Sequence, residues 1–264
     1  MRHRAPFAQP GTDLENLEWP EWARQQLVSA VEIASAFRRE PQPTTLAGEL
    51  YHEWFTPAVV QTPTQLLRRP LAGLYRQAHA GSSRRLDDVD VPTIDRRDAI
   101  GRDRWWRTWG PQWLPARGRS SGMRLLFSPE MSALSEFVRA ATRMLIDVDE
   151  PWLLACPTLP SRLRHNGSVV LYLADDADLR SELIAGLVPY LRADSPPLCL
   201  PLAAGVALAE HPGNGMTFGE HRCHLVALAV ERAEPKSDPL RAIAEMFAAH
   251  GISPAEPYRG NVLG

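Results

Sequence analysis

Lysine is almost missing from this chain. Among 29 basic residues in 264, Lys236 is the only one that is not arginine. A Schiff-base or general-base lysine is therefore close to excluded, and cationic chemistry falls to planar, permanently charged guanidinium forks suited to phosphate or carboxylate. Cysteine is scarce as well. Cys156, Cys199 and Cys223 are widely spaced, form no C-x-x-C pair and each sit in an apolar stretch, which predicts buried free thiols in a reducing compartment. No apolar run reaches the roughly 18 residues needed to span a bilayer, and the basic N-terminus has no apolar run behind it, so a cytoplasmic protein without a membrane partner is expected. Acidic and basic residues are interleaved around a net charge of -2, without the single-sign block of a nucleic-acid footprint. Walker A, H-E-x-x-H and a G-x-G-x-x-G behind a strand are also missing, which removes support for nucleotide and zinc-hydrolase templates.

What is present is enough apolar residue, 44%, to bury a substantial core. Behind Pro20, Leu27, Val31, Ala34 and Phe37 recur at helical spacing, and the Pro41 and Pro43 pair stops the pattern. TLAGELYHEWF predicts a second helix capped by Thr44 or Thr45 and ended by Pro57. From Ala78 to Arg104 the chain turns to Gly, Ser, Asp and Arg, the composition of a linker or loop. The aromatic run RWWRTWGPQW reads as a packing edge, and MRLLF, PWLLACPT and SVVLYLA as strands around the helix of Leu134, Phe137, Val138, Ala141 and Leu145. DLRSELIAGLVPYLRA and DPLRAIAEMFAAH predict two more helices, the latter capped by Gly251. HRCHLVALAVERA fits either a strand or a helix. The organisation expected is α+β: a helical N-terminal portion, then a mixed sheet packed with helices. Its divisions are a helical subdomain at 1–85, a flexible linker or loop at 86–104 and an α+β domain at 105–264.

Three polar insertions stand out. HPGNGMTFGEHRCHL at 211–225 carries glycines around Asn214, then Thr217, Glu220, His221 and Arg222, a set that can bring backbone N–H groups, an arginine and a histidine onto one anion. SRLRHNG at 161–167 supplies Arg162, Arg164 and His165 between two predicted strands. Arg117, Arg119 and Arg124 lead into the MRLLF strand, where Arg124 is the least able to be simply solvated. His211, His221 and His224 lack third and fourth ligands at short reach, so no metal is expected.

MRLLFSP, SVVLYLADD, PLAAGVALAEHPGNGMTFGEHRC and FAAHGISPAEPY, in this order over about residues 117–258, resemble the HopA-type type III effector-like family. That family includes the phosphothreonine and phosphoserine lyase subunits of class V lanthipeptide and thioamitide biosynthesis. The resemblance implies a partner kinase that phosphorylates Ser or Thr of a ribosomal precursor peptide, and a subunit that then eliminates phosphate without a cofactor to leave dehydroalanine or dehydrobutyrine. On this chain it implies Arg222, Arg124, Arg164 and Thr217 as phosphate-binding groups. His221 and His165, with Arg222, would be the catalytic set, and Tyr172 and Glu220 would support it. The chain departs from the family pattern at Ala155 and Leu200, where family members carry lysine. The alternative is therefore a non-catalytic subunit that binds the precursor or scaffolds the kinase.

Overall fold

The computed structural model describes residues 18–39, 44–56, 71–81, 84–86, 89–91, 97–113, 122–173, 177–212, 215–234 and 237–260. Pro41, Pro43, Pro57, Arg117, Arg119 and Asn214 lie outside these residues. Helix α1 (Glu21–Arg39) begins behind Pro20 and buries Ala23, Leu27, Ala30 and Ala34, with Val31 and Phe37 half-buried beside them. Thr45 caps α2 (Leu46–Glu49), its hydroxyl accepting the Gly48 N–H. The helix then widens into a single π-turn, Leu50–Phe55, where Thr56 returns its N–H to the Tyr51 carbonyl five residues back. A short α3 (Ala72–Ala78) and a small β1–β2 hairpin (Arg84–Leu86, Val89–Val91) follow.

The central sheet is built from β3 (Asp98–Ile100), β4 (Trp105–Trp109), β5 (Met123–Phe127), β6 (Trp152–Pro157), β7 (Val169–Leu173), β8 (Leu200–Ala203) and β9 (Val206–Glu210). The strands lie in the order β3–β4–β6–β7–β5–β9–β8, and every pairing is antiparallel. Strand β3 falls inside the stretch expected as a linker. It is held to the sheet edge by Asp98, whose carboxylate accepts from the Trp106 indole at 3.0 Å and the Arg76 guanidinium at 2.7 Å. The apolar segment with glycine resolves into the β8–β9 hairpin. It turns at Gly205, where φ is +70° and a Cβ would run into the Arg192 carbonyl, so only glycine fits.

Strand alternation sends Trp106, Leu125, Phe127, Leu154 and Leu171 to one face. There they pack with Phe137 and Leu145 of α4 (Leu134–Leu145) and Leu183 of α6 (Ala177–Leu187). Leu126, Ala207 and Ala209 take the other face and meet α1, α2, α7 (Phe218–Arg232) and α8 (Pro239–Ala249). The α+β architecture with a helical N-terminal portion holds, but the sheet expected to be mixed is antiparallel at every pairing; α1 and α2 share one core with the last two helices. HRCHLVALAVERA is helical. A capping box decides it: Thr217 Oγ1 accepts the Glu220 N–H and the Glu220 carboxylate accepts the Thr217 N–H. All three cysteines are buried free thiols.

Candidate functional site

Arginine and histidine occur together in two places, and the fold treats them differently. The first is the start of α7. Thr217 and Glu220 bond each other's backbone in the capping box just described, so both are engaged in starting the helix. Gly219, one residue before Glu220, is required because the Phe55 ring occupies the space a Cβ would take. Arg222 is 0% exposed, with its guanidinium carbon over the Phe218 ring at 4.5 Å and the Phe247 ring at 5.6 Å. Its Nε donates to the Pro257 carbonyl at 2.8 Å, one terminal nitrogen donates to the Arg259 carbonyl and the other to His221 Nδ1 at 2.8 Å. Burial pushes this guanidinium down to about 10, which leaves it charged at neutral pH. Arg222 therefore ties the C-terminal segment to α7. His221, 8% exposed, is pushed down to about 4, by burial first and the adjacent Arg222 second. It is a neutral acceptor under a neighbouring cation.

The second place is the turn between β6 and β7. A short α5 (Pro160–Leu163) leads to Arg164 and His165, both half-buried. Arg192 shapes this turn by donating to the carbonyls of Leu163, Arg164 and His165 at 3.3, 3.0 and 3.0 Å, while the Ser128 hydroxyl accepts the Gly167 N–H at 2.8 Å. His165 Nδ1 lies 2.8 Å from the Thr56 carbonyl. A carbonyl only accepts, so Nδ1 carries the proton and Nε2 keeps its lone pair. Burial lowers the imidazole pKa, the Thr56 hydrogen bond opposes that, and His52, Arg192 and Arg162 lower it further. Arg164 Nε and Asn166 Oδ1 are buried and make no hydrogen bond among the described residues, the kind of polar atom a ligand can satisfy.

The remaining expected groups stand apart from the β6–β7 turn, although two of them act on one thiol: burial pushes Cys199 up, and Arg222 and Arg124 both oppose it. Arg124 and Tyr172 are register partners across β5 and β7, with the guanidinium 5.0 Å from the ring centre. They sit at the far end of the strand pair from Ser128, roughly 13 Å away at ordinary strand rise. Tyr51 stands between the two arginine and histidine sets: burial first, then Glu220 and Cys223, push its phenol up, while a hydrogen bond with Thr217 and the charge of Arg162 oppose them. The sequence reading missed Tyr51, Thr56, Ser128 and Arg192 as site residues, since nothing local marks a side chain or carbonyl whose partner lies 27, 39 or 109 positions away. Among the described residues, no cluster of three or more His, Cys, Asp or Glu is placed to hold a metal, and no helix is long and apolar enough to cross a membrane.

The profile of the HopA1 effector protein family matches residues 112–259, more than half of the chain. The chain belongs to this family. Two solved structures share its fold. The effector protein from Pseudomonas syringae pv. tomato strain DC3000 has a TM-score of 0.61 at 14% identity, with 90% of this chain and 98% of that one covered. The effector protein from Pseudomonas syringae pv. syringae strain 61 has a TM-score of 0.58 at 14% identity, with coverages of 89% and 97%. No curated protein matches the chain. The HopA1 profile takes in both arginine and histidine sets but not the N-terminal portion that carries Tyr51 and Thr56.

Proposed function

We propose that this chain is a lyase subunit that eliminates phosphate from phosphoserine or phosphothreonine of a ribosomal precursor peptide, beside a kinase that installs the phosphate. The observation that carries the reading is His165, a half-buried imidazole with Nδ1 engaged by a carbonyl and the Nε2 lone pair free of that bond, with Arg192 and Arg162 acting on it and Arg164 beside it in the chain. In the reaction, Nε2 takes the Cα proton, the C–H electron pair becomes the Cα–Cβ double bond, and the Cβ–O bond breaks with its electrons leaving on phosphate. Arg162 and Arg164 supply the cations for the charge that grows on the departing oxygen. Arg222 and His221 act by holding the α7 start and the C-terminal segment in place.

A non-catalytic subunit that binds the precursor is the second reading. It is favoured by Ala155 and Leu200 at the positions where family members carry lysine, and by the burial of Arg222. A synthetic phosphoserine peptide with the precursor's leader, incubated with the chain alone, separates the two by mass spectrometry. Loss of the elements of phosphoric acid supports the lyase; tight binding with unchanged mass overturns it in favour of the binding subunit.

A further inference from the structure

The tautomer of His165 is decided from outside the segment that the family profile covers. Thr56 closes the π-turn through two bonds to one acceptor: its N–H and its Oγ1 both donate to the Tyr51 carbonyl, at 2.8 and 2.7 Å. Its backbone then leaves the helix at φ -121° and ψ 48°. Had α2 continued as an α-helix, the Thr56 N–H would reach back to His52 and its own carbonyl would run along the axis toward residue 60. The extra residue in the turn releases that carbonyl sideways onto His165 Nδ1. Single π-turns are rare and poorly aligned, and they persist where a displaced group is needed. This one is clamped to α7, with Phe55 stacked on Tyr51 at 5.9 Å, tilted against Phe218 at 6.2 Å and filling the space above Gly219.

We infer that the π-turn Leu50–Phe55 is a positioning element of the site, holding the Thr56 carbonyl on His165 Nδ1 so that Nε2 is the basic nitrogen. The side chains that act on this imidazole are His52, Arg192 and Arg162; the two guanidiniums only donate, so neither can substitute for Thr56 as the acceptor. The consequence for rate rests on the proposed elimination, but the tautomer is measurable without it. The full chain with nitrogen-15-labelled histidine is compared with Thr56→Val, which keeps shape and loses the Oγ1 bond, and Thr56→Ser, which restores that bond. The wild type is expected to show His165 protonated at Nδ1. Thr56→Val should shift population to the Nε2–H form and slow phosphate loss from the phosphoserine peptide about 10-fold, the low end of the effect of a lost orienting partner. Thr56→Ser should recover both. Should Thr56→Val not fold, Phe55→Leu, which slackens the clamp and keeps Thr56, is read in the same way. A wild-type His165 protonated at Nε2, or Thr56→Val with unchanged tautomer and rate, overturns the inference. A tautomer that responds in a protein that eliminates no phosphate supports the positioning role and overturns the lyase reading instead.

Discussion

The arginine and histidine sets at 161–165 and 217–222 look alike as sequence, yet they have different physical fates. At the α7 start, Arg222 donates inward to two carbonyls and a histidine from between two aromatic rings. At the β6–β7 turn, Arg192 from another element satisfies the backbone, which leaves Arg164 and His165 half-buried and Arg162 exposed, with one terminal nitrogen donating to the Asp103 carbonyl. A guanidinium that completes a core and one that meets an anion use the same donors, and what separates them is which carbonyls the fold brings within reach.

The sharpest way to break this contrast is a pair of variants with opposite readouts. His165→Asn keeps a donor for the Thr56 carbonyl and removes the base, so phosphate elimination should fall by about 10²–10⁴-fold, the usual worth of a positioned proton acceptor, with the thermal midpoint unchanged. Arg222→Ala should do the reverse of a site lesion. It orphans the Pro257 and Arg259 carbonyls, at about 1–3 kcal/mol each, so the unfolding free energy from denaturant titration should fall by about 2–6 kcal/mol. Equal losses of stability in both variants would erase the distinction.

Smaller effects sharpen it. Gly219→Ala pushes a methyl into the Phe55 ring, and overpacking of this sort costs about 1–3 kcal/mol; calorimetry should show it. Thr217→Ala removes half of the capping box and should cost about 1 kcal/mol, with elimination unchanged if Thr217 serves the helix and not the phosphate. His221 has a pH signature. Its folded pKa of about 4 lies below the reference value of 6.5, so the unfolded chain binds the extra proton first. Stability should fall as pH drops through that window and recover above it. His221→Gln should flatten this dependence in denaturant titrations across it; a slope that persists undiminished places the proton elsewhere.

Much of the fold was legible because periodicity is local. The α1 pattern, the Thr45 cap, the strand at Met123–Phe127 and the Gly251 turn each announce themselves within a few residues. The segment from His221 to Ala233 was ambiguous because a helix buried on most sides loses its polar stripe, and 10 of the 15 residues of α7 are buried. β3 was hidden because a three-residue edge strand is held by one carboxylate rather than by an apolar pattern. The site followed the same rule.

By itself the sequence determined the chemical inventory, arginine in place of lysine with free thiols, and the α+β order of elements, since both follow from residue identity and short spacing. Only the tertiary structure decided which histidine keeps a basic nitrogen and which arginine is buried. That choice turns on Thr56 reaching His165 across 109 positions and on Pro257 and Arg259 reaching Arg222 across 35 and 37, and a hydrogen bond depends on closeness in space, which residue spacing along the chain does not encode.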